Sequence, residues 1–215
     1  MYGRQDGKLY VTAADGTTAA EELKSIPLDY PTGWSRDGDH IIGFQVAGKN
    51  GSNDIGYYRR SPGGGRWEGV PYLAGPFDEG FAAFSPDGHF VVYVSNESGD
   101  YEVYVKPFPE GPGKWRISTN GGVQPRWSRM GKEITYLQRG LLMTVPVAAA
   151  GGELKAGAPQ SLFETGAYAA ERVERKYDEL PDGRFVLIER AAEAAEKARV
   201  VHVISNWPAL LEGRQ

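Results

Sequence analysis

The chain has no cysteine and only three histidines and three methionines among its 215 residues. Without a thiol it forms no disulfide, holds no thiolate-bound metal and runs no cysteine-nucleophile chemistry; its compartment stays open, because exported proteins can also lack cysteine. No run reaches the roughly 18 apolar residues that a membrane-spanning helix needs. The opening Met1-Tyr2-Gly3-Arg4-Gln5-Asp6-Gly7 has no apolar signal core. Read as a complete product, the chain is expected in the cytoplasm. Excess positive charge is missing too: 24 Lys and Arg face 28 Asp and Glu, for a net charge of −4. With no basic field to attract a phosphate backbone, nucleic acid is not expected as a partner.

What is abundant is glycine (29), proline (14) and aromatic residues (12%), the mixture of many short strands joined by tight turns. Four segments spell variants of one phrase: Trp34-Ser35-Arg36-Asp37-Gly38, Phe84-Ser85-Pro86-Asp87-Gly88, Trp127-Ser128-Arg129-Met130-Gly131 and the worn Leu180-Pro181-Asp182-Gly183. Their glycines step by 50, 43 and 52 residues. That period points to β-propeller blades, small sheets that must stack on their neighbours to bury both faces. In the phrase, Asp37, Asp87 and Asp182 are expected to accept hydrogen bonds from the turn backbone. Gly38, Gly88, Gly131 and Gly183 are expected to take the positive φ that closes the hairpin.

The fold class expected is all-β: a propeller of four-stranded antiparallel blades, about four in number, either a small closed ring or a partial arc of a larger one. The single propeller region of 1–215 divides into the outer strands of a preceding blade over 1–30 and blades over 31–74, 75–119 and 120–166. An incomplete last blade over 167–207 and a tail over 208–215 follow. Two strands are expected at the start, Lys8–Val11 and Glu22–Ile26, and three at the end, Lys176–Leu180, Arg184–Glu189 and Val200–Ile204. Three plus two overfill a four-stranded blade, which favours the arc. An arc exposes apolar faces at both ends and is expected to self-associate as a homo-oligomer. Only 191–199, rich in Ala and Glu with Glu193 and Lys197 four apart, suggests a turn or two of solvated helix.

The phrase Phe84–Gly88 continues into Tyr93-Val94-Ser95-Asn96-Glu97-Ser98-Gly99 and then Tyr101-Glu102-Val103-Tyr104-Val105-Lys106-Pro107-Phe108-Pro109. Beyond that come Trp115-Arg116-Ile117-Ser118, Gly121-Gly122 and Gln124-Pro125-Arg126-Trp127-Ser128. On these residues the chain resembles the TolB-type, WD-like β-propeller. It is more closely similar to the propeller at the C-terminal, sensor end of many bacterial membrane-anchored serine/threonine protein kinases. The match is specific over 77–147 and looser over 1–76 and 148–215. The resemblance implies further blades, a membrane span and a kinase upstream of Met1, and then an extracytoplasmic (periplasmic) place for this piece. Arg36, Arg129 and Met130 depart from the usual Pro and Asp of the phrase. The chain has no Gly-rich loop ahead of a strand lysine, no His-Arg-Asp and no Asp-Phe-Gly, so no phosphoryl transfer is expected from it.

No catalytic residue, metal site or cofactor is expected. Gly33-Trp34-Ser35-Arg36-Asp37 lacks the second glycine of a nucleophile elbow and precedes a hairpin rather than a helix. His40, His89 and His202 belong to different blades. The loop Asn96–Asp100 lacks the carboxylate spacing of a calcium loop, and Gly63-Gly64-Gly65 precedes no helix that could cradle a phosphate. What remains is the channel mouth where connections enter the innermost strands. There Tyr30, Phe77, Glu79, Gln124, Arg126 and Arg172 are the candidate ligand-binding residues, suited to a protein, a peptide or a small polar molecule. A propeller-type lyase or hydrolase with a channel active site, and a ligandless structural fragment, are the alternatives.

Overall fold

A computed structural model describes residues 2–3, 8–48, 50–150, 152–165, 177–189 and 200–204, with side chains for those among 8–188. Among these the chain is all-β, with no helix. The segment 191–199, for which helix is expected, and Arg172 lie outside the described residues. None of the described elements is a helix long and apolar enough to cross a membrane.

Five antiparallel sheets follow one another along the chain. The first holds β1 (Tyr2–Gly3), β2 (Leu9–Val11) and β3 (Glu21–Leu23); the second, β4 (Tyr30–Trp34), β5 (His40–Gln45), β6 (Asp54–Arg60) and β7 (Trp67–Leu73). The third holds β8 (Glu79–Phe84), β9 (Phe90–Ser95), β10 (Glu102–Pro107) and β11 (Trp115–Arg116). The fourth holds β12 (Val123–Trp127), β13 (Glu133–Gln138), β14 (Leu141–Ala150), β15 (Glu153–Ala156) and β16 (Gln160–Glu164). The fifth holds β17 (Tyr177–Glu179), β18 (Phe185–Glu189) and β19 (Val200–Ile204). Strands pair in sequence order, as in a propeller blade, except that β16 returns to pair with β14 in the fourth sheet, so three complete blades sit between two three-stranded sheets.

Strand β9 shows why the blades stack. All six of its residues are buried, and alternation sends them to two places. Phe90, Val92 and Val94 join Ile134, Tyr136 and Val145 of the next sheet, whereas Val91 and Tyr93 join Ile42, Phe44 and Tyr57 of the preceding one. Each such side chain contributes roughly 1.5–3 kcal/mol on burial, and both faces are covered only when both neighbours are present. Leu9 and Leu23 pack on Ile41, Tyr58 and Trp67 in the same manner, and Leu137, Leu142 and Leu162 on Tyr177, Phe185 and Leu187. Four clusters therefore join five consecutive sheets into an arc.

Three details depart from the simple blade pattern, each for a local reason. Tyr2–Gly3 adds a third strand to the first sheet, and β3 stops at Leu23 because the chain then leaves to cover the second sheet. There the Tyr58 hydroxyl bonds the backbone of Ile26 on both sides, Ser25 Oγ accepts from Gly69 N at 2.9 Å, and a Cβ on Gly69 would sit 2.5 Å from the Ile26 side chain. In the third sheet β11 is only two residues long, since Ser118 turns its hydroxyl inward to Glu102 and to the amide of Val103. In the fourth sheet β14 runs on to Ala150 and doubles back through β15, so its outer edge is shared between β16 and β15.

The repeated phrase builds one hairpin. Ser35 and Ser85 donate their hydroxyls to Asp37 and Asp87, and each hydroxyl accepts an amide five residues on, from His40 at 2.8 Å and Phe90 at 3.0 Å. The aspartates accept the amides of Asp39 and His89. These bonds hold the Asp37 carboxyl, and against the opposing effect of burial the Asp87 carboxyl, below the ordinary range. Gly38, Gly88, Gly131 and Gly183 have φ between +68° and +82°, where a Cβ is strained. Ser128 keeps the serine bond to Glu133 N although Met130 supplies no acceptor. In the worn copy Leu180 has no hydroxyl, and the hairpin closes one residue sooner, with Leu180 N on Arg184 O.

Candidate functional site

The first strands of the three complete blades lie side by side, β4 next to β8 and β8 next to β12. Together they form the inner face of the arc. Each has a register irregularity against its neighbour at the same place, between Pro31 and Gly33, Gly80 and Ala83, and Val123 and Arg126. Phe81 and Gln124, the equivalent residues in two of these bulges, have φ of +52° and +55°, a region that non-glycine residues rarely occupy. The bulges divide the inner face into an entering end, at Tyr30, Glu79 and Val123, and a hairpin end, at Trp34, Phe84 and Trp127.

At the entering end Tyr30 stacks on Phe44 with ring centroids 5.1 Å apart, and Phe77 is exposed on the connection before β8. Asp78 ties this end together: it accepts the amide of Asn53 at 3.0 Å and the hydroxyl of Tyr101 at 3.1 Å. Glu79 is 7% exposed. Its Oε1 accepts from Ser95 Oγ at 3.2 Å, while its Oε2 is buried with no partner. Burial first, and then the charges of Asp54, Glu97 and Asp78, push this carboxyl up to about 7. Beside it is a cavity of about 30 Å³ lined by Phe44, Phe81 and Tyr101, the room of a single small group. Gln124 is fully buried, with its carbonyl accepting the Tyr177 hydroxyl at 3.0 Å. Tyr30, Phe77 and Glu79 thus share one end, Gln124 is turned inside, and Arg126 lies at the other end.

The hairpin end is the roomier of the two. A cavity of about 270 Å³ is lined by Trp34, Arg36, Pro86, Arg126, Trp127 and Arg129, contributed by three blades. Arg126 Nη1 is 2.6 Å from Asp178 Oδ1, while its Nε, like the indole nitrogen of Trp127, is buried without a hydrogen-bond partner. Arg36 and Arg129 are exposed. Trp34, 42% exposed, meets Trp67 edge-on at 6.2 Å. From this cavity a groove runs outward between the third and fourth sheets. Its next section, about 620 Å³, shares Arg36, Ser85, Pro86, Trp127 and Arg129 with the first and adds Met130, Lys132 and Ala148. The outer section, about 750 Å³, shares Asp87, Phe90 and Ala149 and ends among Phe108, Glu110 and Trp115. One wall is the β14–β15 hairpin. The sequence signal for this face is that arginine twice replaces proline in the repeated phrase, at 36 and 129. Their meeting across two blades is visible only in three dimensions.

Chemically the hairpin end offers N–H donors, positive charge and exposed aromatic or apolar surface. Among the described residues no three His, Cys, Asp or Glu side chains are grouped to hold a metal ion. His40 lies edge-on to Phe108 at 5.2 Å, packed against the interface between two blades.

No family model matches the chain, and no curated protein matches it. Solved structures do. TolB from Acinetobacter baumannii superposes with a TM-score of 0.56 at 17% identity, over 89% of this chain and 44% of that one. A protein assigned as TolB from Agrobacterium tumefaciens gives 0.53 at 19% identity, over 72% and 56%. The fold is that of a TolB-like β-propeller, in part. A Mycobacterium tuberculosis puromycin-hydrolyzing peptidase gives 0.56 at 16% identity, over 93% and 37%. The chain spans little more than half, or less, of the length of each of these proteins. At such identities the likeness concerns the fold alone, and the TolB-like arc of blades is the frame that holds both ends of the inner face.

Proposed function

We propose that this TolB-like arc is a non-catalytic recognition module that takes an extended peptide segment of a protein partner into the groove at the hairpin end. The observation that carries this reading is the continuity of the groove: its three sections share walls from the inner strands to the outer edge of the blade. A linear, slightly amphipathic ligand matches that shape, and loops on a rigid scaffold hold it without ordering costs of their own. Trp34 and the 76% exposed Met130 supply apolar anchors of the kind that dominate binding energy. Tyr30, Phe77 and Glu79 mark the entering end as the other candidate face. The same reading includes the more specific class that the sequence resembles, a sensor propeller whose occupancy is passed to a membrane-anchored kinase.

The test is selection of peptides from a random display library on the immobilised full chain, followed by titration of an enriched peptide. Replacing Trp34 and Met130 together by Ala is expected to weaken that peptide by about tenfold or more, with Phe77→Ala leaving it unchanged. No enrichment over an empty surface, or loss on Phe77→Ala with the groove variant unaffected, overturns the proposal.

A further inference from the structure

We infer that the inner end of the groove is an anion site that anchors one carboxylate of the bound peptide; this rests on the peptide reading above. Three arginines from two blades, Arg36, Arg126 and Arg129, line the single cavity of about 270 Å³. Their states differ in a way that suits an incoming anion. Arg126 is clamped by Asp178 at 2.6 Å, which fixes the guanidinium and offsets its charge, yet its Nε–H is buried without an acceptor. A buried donor left in that condition keeps its desolvation cost uncompensated, and a charged acceptor can return it as a charge-assisted bond. Arg36 and Arg129 form no ion pair among the described residues, and both are exposed, so each can swing onto an anion.

The acids near this end are otherwise engaged or lie outside the cavity. Asp178 is committed to Arg126. Glu179, which feels both Arg129 and Arg126, is held above its ordinary range by burial and by Glu133. Asp37 and Asp87, whose carboxyls are held low by bonds inside their own hairpins, do not line this cavity. The charged side chains that line the cavity are Arg36, Arg126 and Arg129, so the lining is locally positive on a chain of net charge −4. That combination favours a single anionic group over a polyanion, which the remainder of the surface repels. The cavity has room for one side chain, and the groove beyond it leads toward the apolar section at Met130, Phe90 and Ala148. The occupant is therefore an Asp, a Glu or the C-terminal carboxylate of an otherwise largely uncharged extended segment. Planar guanidinium forks match that carboxylate in a bidentate manner.

The test uses the full chain and the peptides selected on it. In an enriched peptide each Asp or Glu is changed in turn to its amide, and the C-terminus is amidated. Binding is then measured by calorimetry on the wild type and on the double variant Arg36→Gln, Arg129→Gln; Arg126 is kept because it bonds Asp178. One change is expected to weaken wild-type binding about tenfold or more. The same change should have little further effect on the double variant, and added salt should reduce only the wild-type affinity for the acidic peptide. Circular dichroism verifies that the double variant is folded. If peptides bind in the groove but no acid-to-amide change couples to the arginines, the anchor is wrong while peptide recognition stands. If a phosphoserine at the anchor position binds more tightly than Glu, the carboxylate assignment is overturned. If no peptide binds at all, both readings fall together.

Discussion

Replacing Glu102 by Ala is expected to destabilise the fold by about 2–4 kcal/mol. The side chain is 2% exposed and stands at the start of β10. Its carboxylate accepts Arg116 Nη2 at 2.6 Å, the amide of Gly121 at 3.1 Å and the hydroxyl of the fully buried Ser118. One residue thereby fixes the outer edge of the third sheet and the connection that leads into β12. Truncation strands a buried hydroxyl and a backbone N–H, and loss of one partner of a buried ion pair typically costs 3–5 kcal/mol. The value expected here is lower because the Arg116 side chain is 44% exposed and can turn to water. Glu102→Gln, which keeps an acceptor but loses the charge, should fall about halfway. Urea unfolding measures both; a change under about 0.5 kcal/mol for Glu102→Ala would show that the network is ornamental.

Glu79 is expected to act in the opposite sense, as a group whose ionisation the fold resists. Its folded value of about 7 lies above the 4.5 of an unperturbed Glu. In the range between these values the folded state therefore retains a proton that the unfolded chain has released. Stability from this residue is fullest below about pH 4.5, declines as pH rises toward 7, and is constant above that. The full shift corresponds to about 3 kcal/mol, which residual solvent access reduces to roughly 1–3 kcal/mol. Glu79→Gln should thus be more stable than the wild type by that amount at pH 8 and nearly equal to it at pH 4. The difference between the two proteins is the readout, because Asp37 and Asp87, whose carboxyls are held low, stabilise the fold above their unfolded values and lose that contribution on acidification. Parallel stability curves for Glu79→Gln and the wild type would refute the buried-carboxyl account.

The repeated phrase made the blades legible because each copy is local: in the two full copies a serine, an aspartate and a glycine within four residues close a hairpin by bonds that never leave it, and the worn copies keep the glycine turn. Strands such as β9 and β13 were legible for the same reason, as apolar runs between turns. The β14–β15 hairpin was not, since the run Val147–Ala150 is mostly alanine and so weakly β-forming, and its partner Glu153–Ala156 is half polar and mostly exposed. Gln124 was legible as a polar residue near a mouth, yet a bulge with positive φ turns it inward. Glu79 was legible as an acid at the start of an inner strand, while its missing second partner depends on the next strand and the neighbouring blade. The hairpin-end groove is the least legible feature. Arg36 and Arg129 are local oddities in sequence, and only the stacking of the second to fourth sheets makes them neighbours around one cavity.

Photo-crosslinking tests the central claim, recognition at the hairpin end, most directly. A benzophenone amino acid is placed at Met130 in one protein and at Phe77 in another. Both positions are exposed, one in the groove and one at the entering end. Each protein is irradiated with a peptide selected on the wild type, and the products are mapped by mass spectrometry. A crosslink from position 130, competed by unlabelled peptide and absent from position 77, is the predicted result. A competed crosslink from position 77 alone would contradict the account and move the binding site to the entering end.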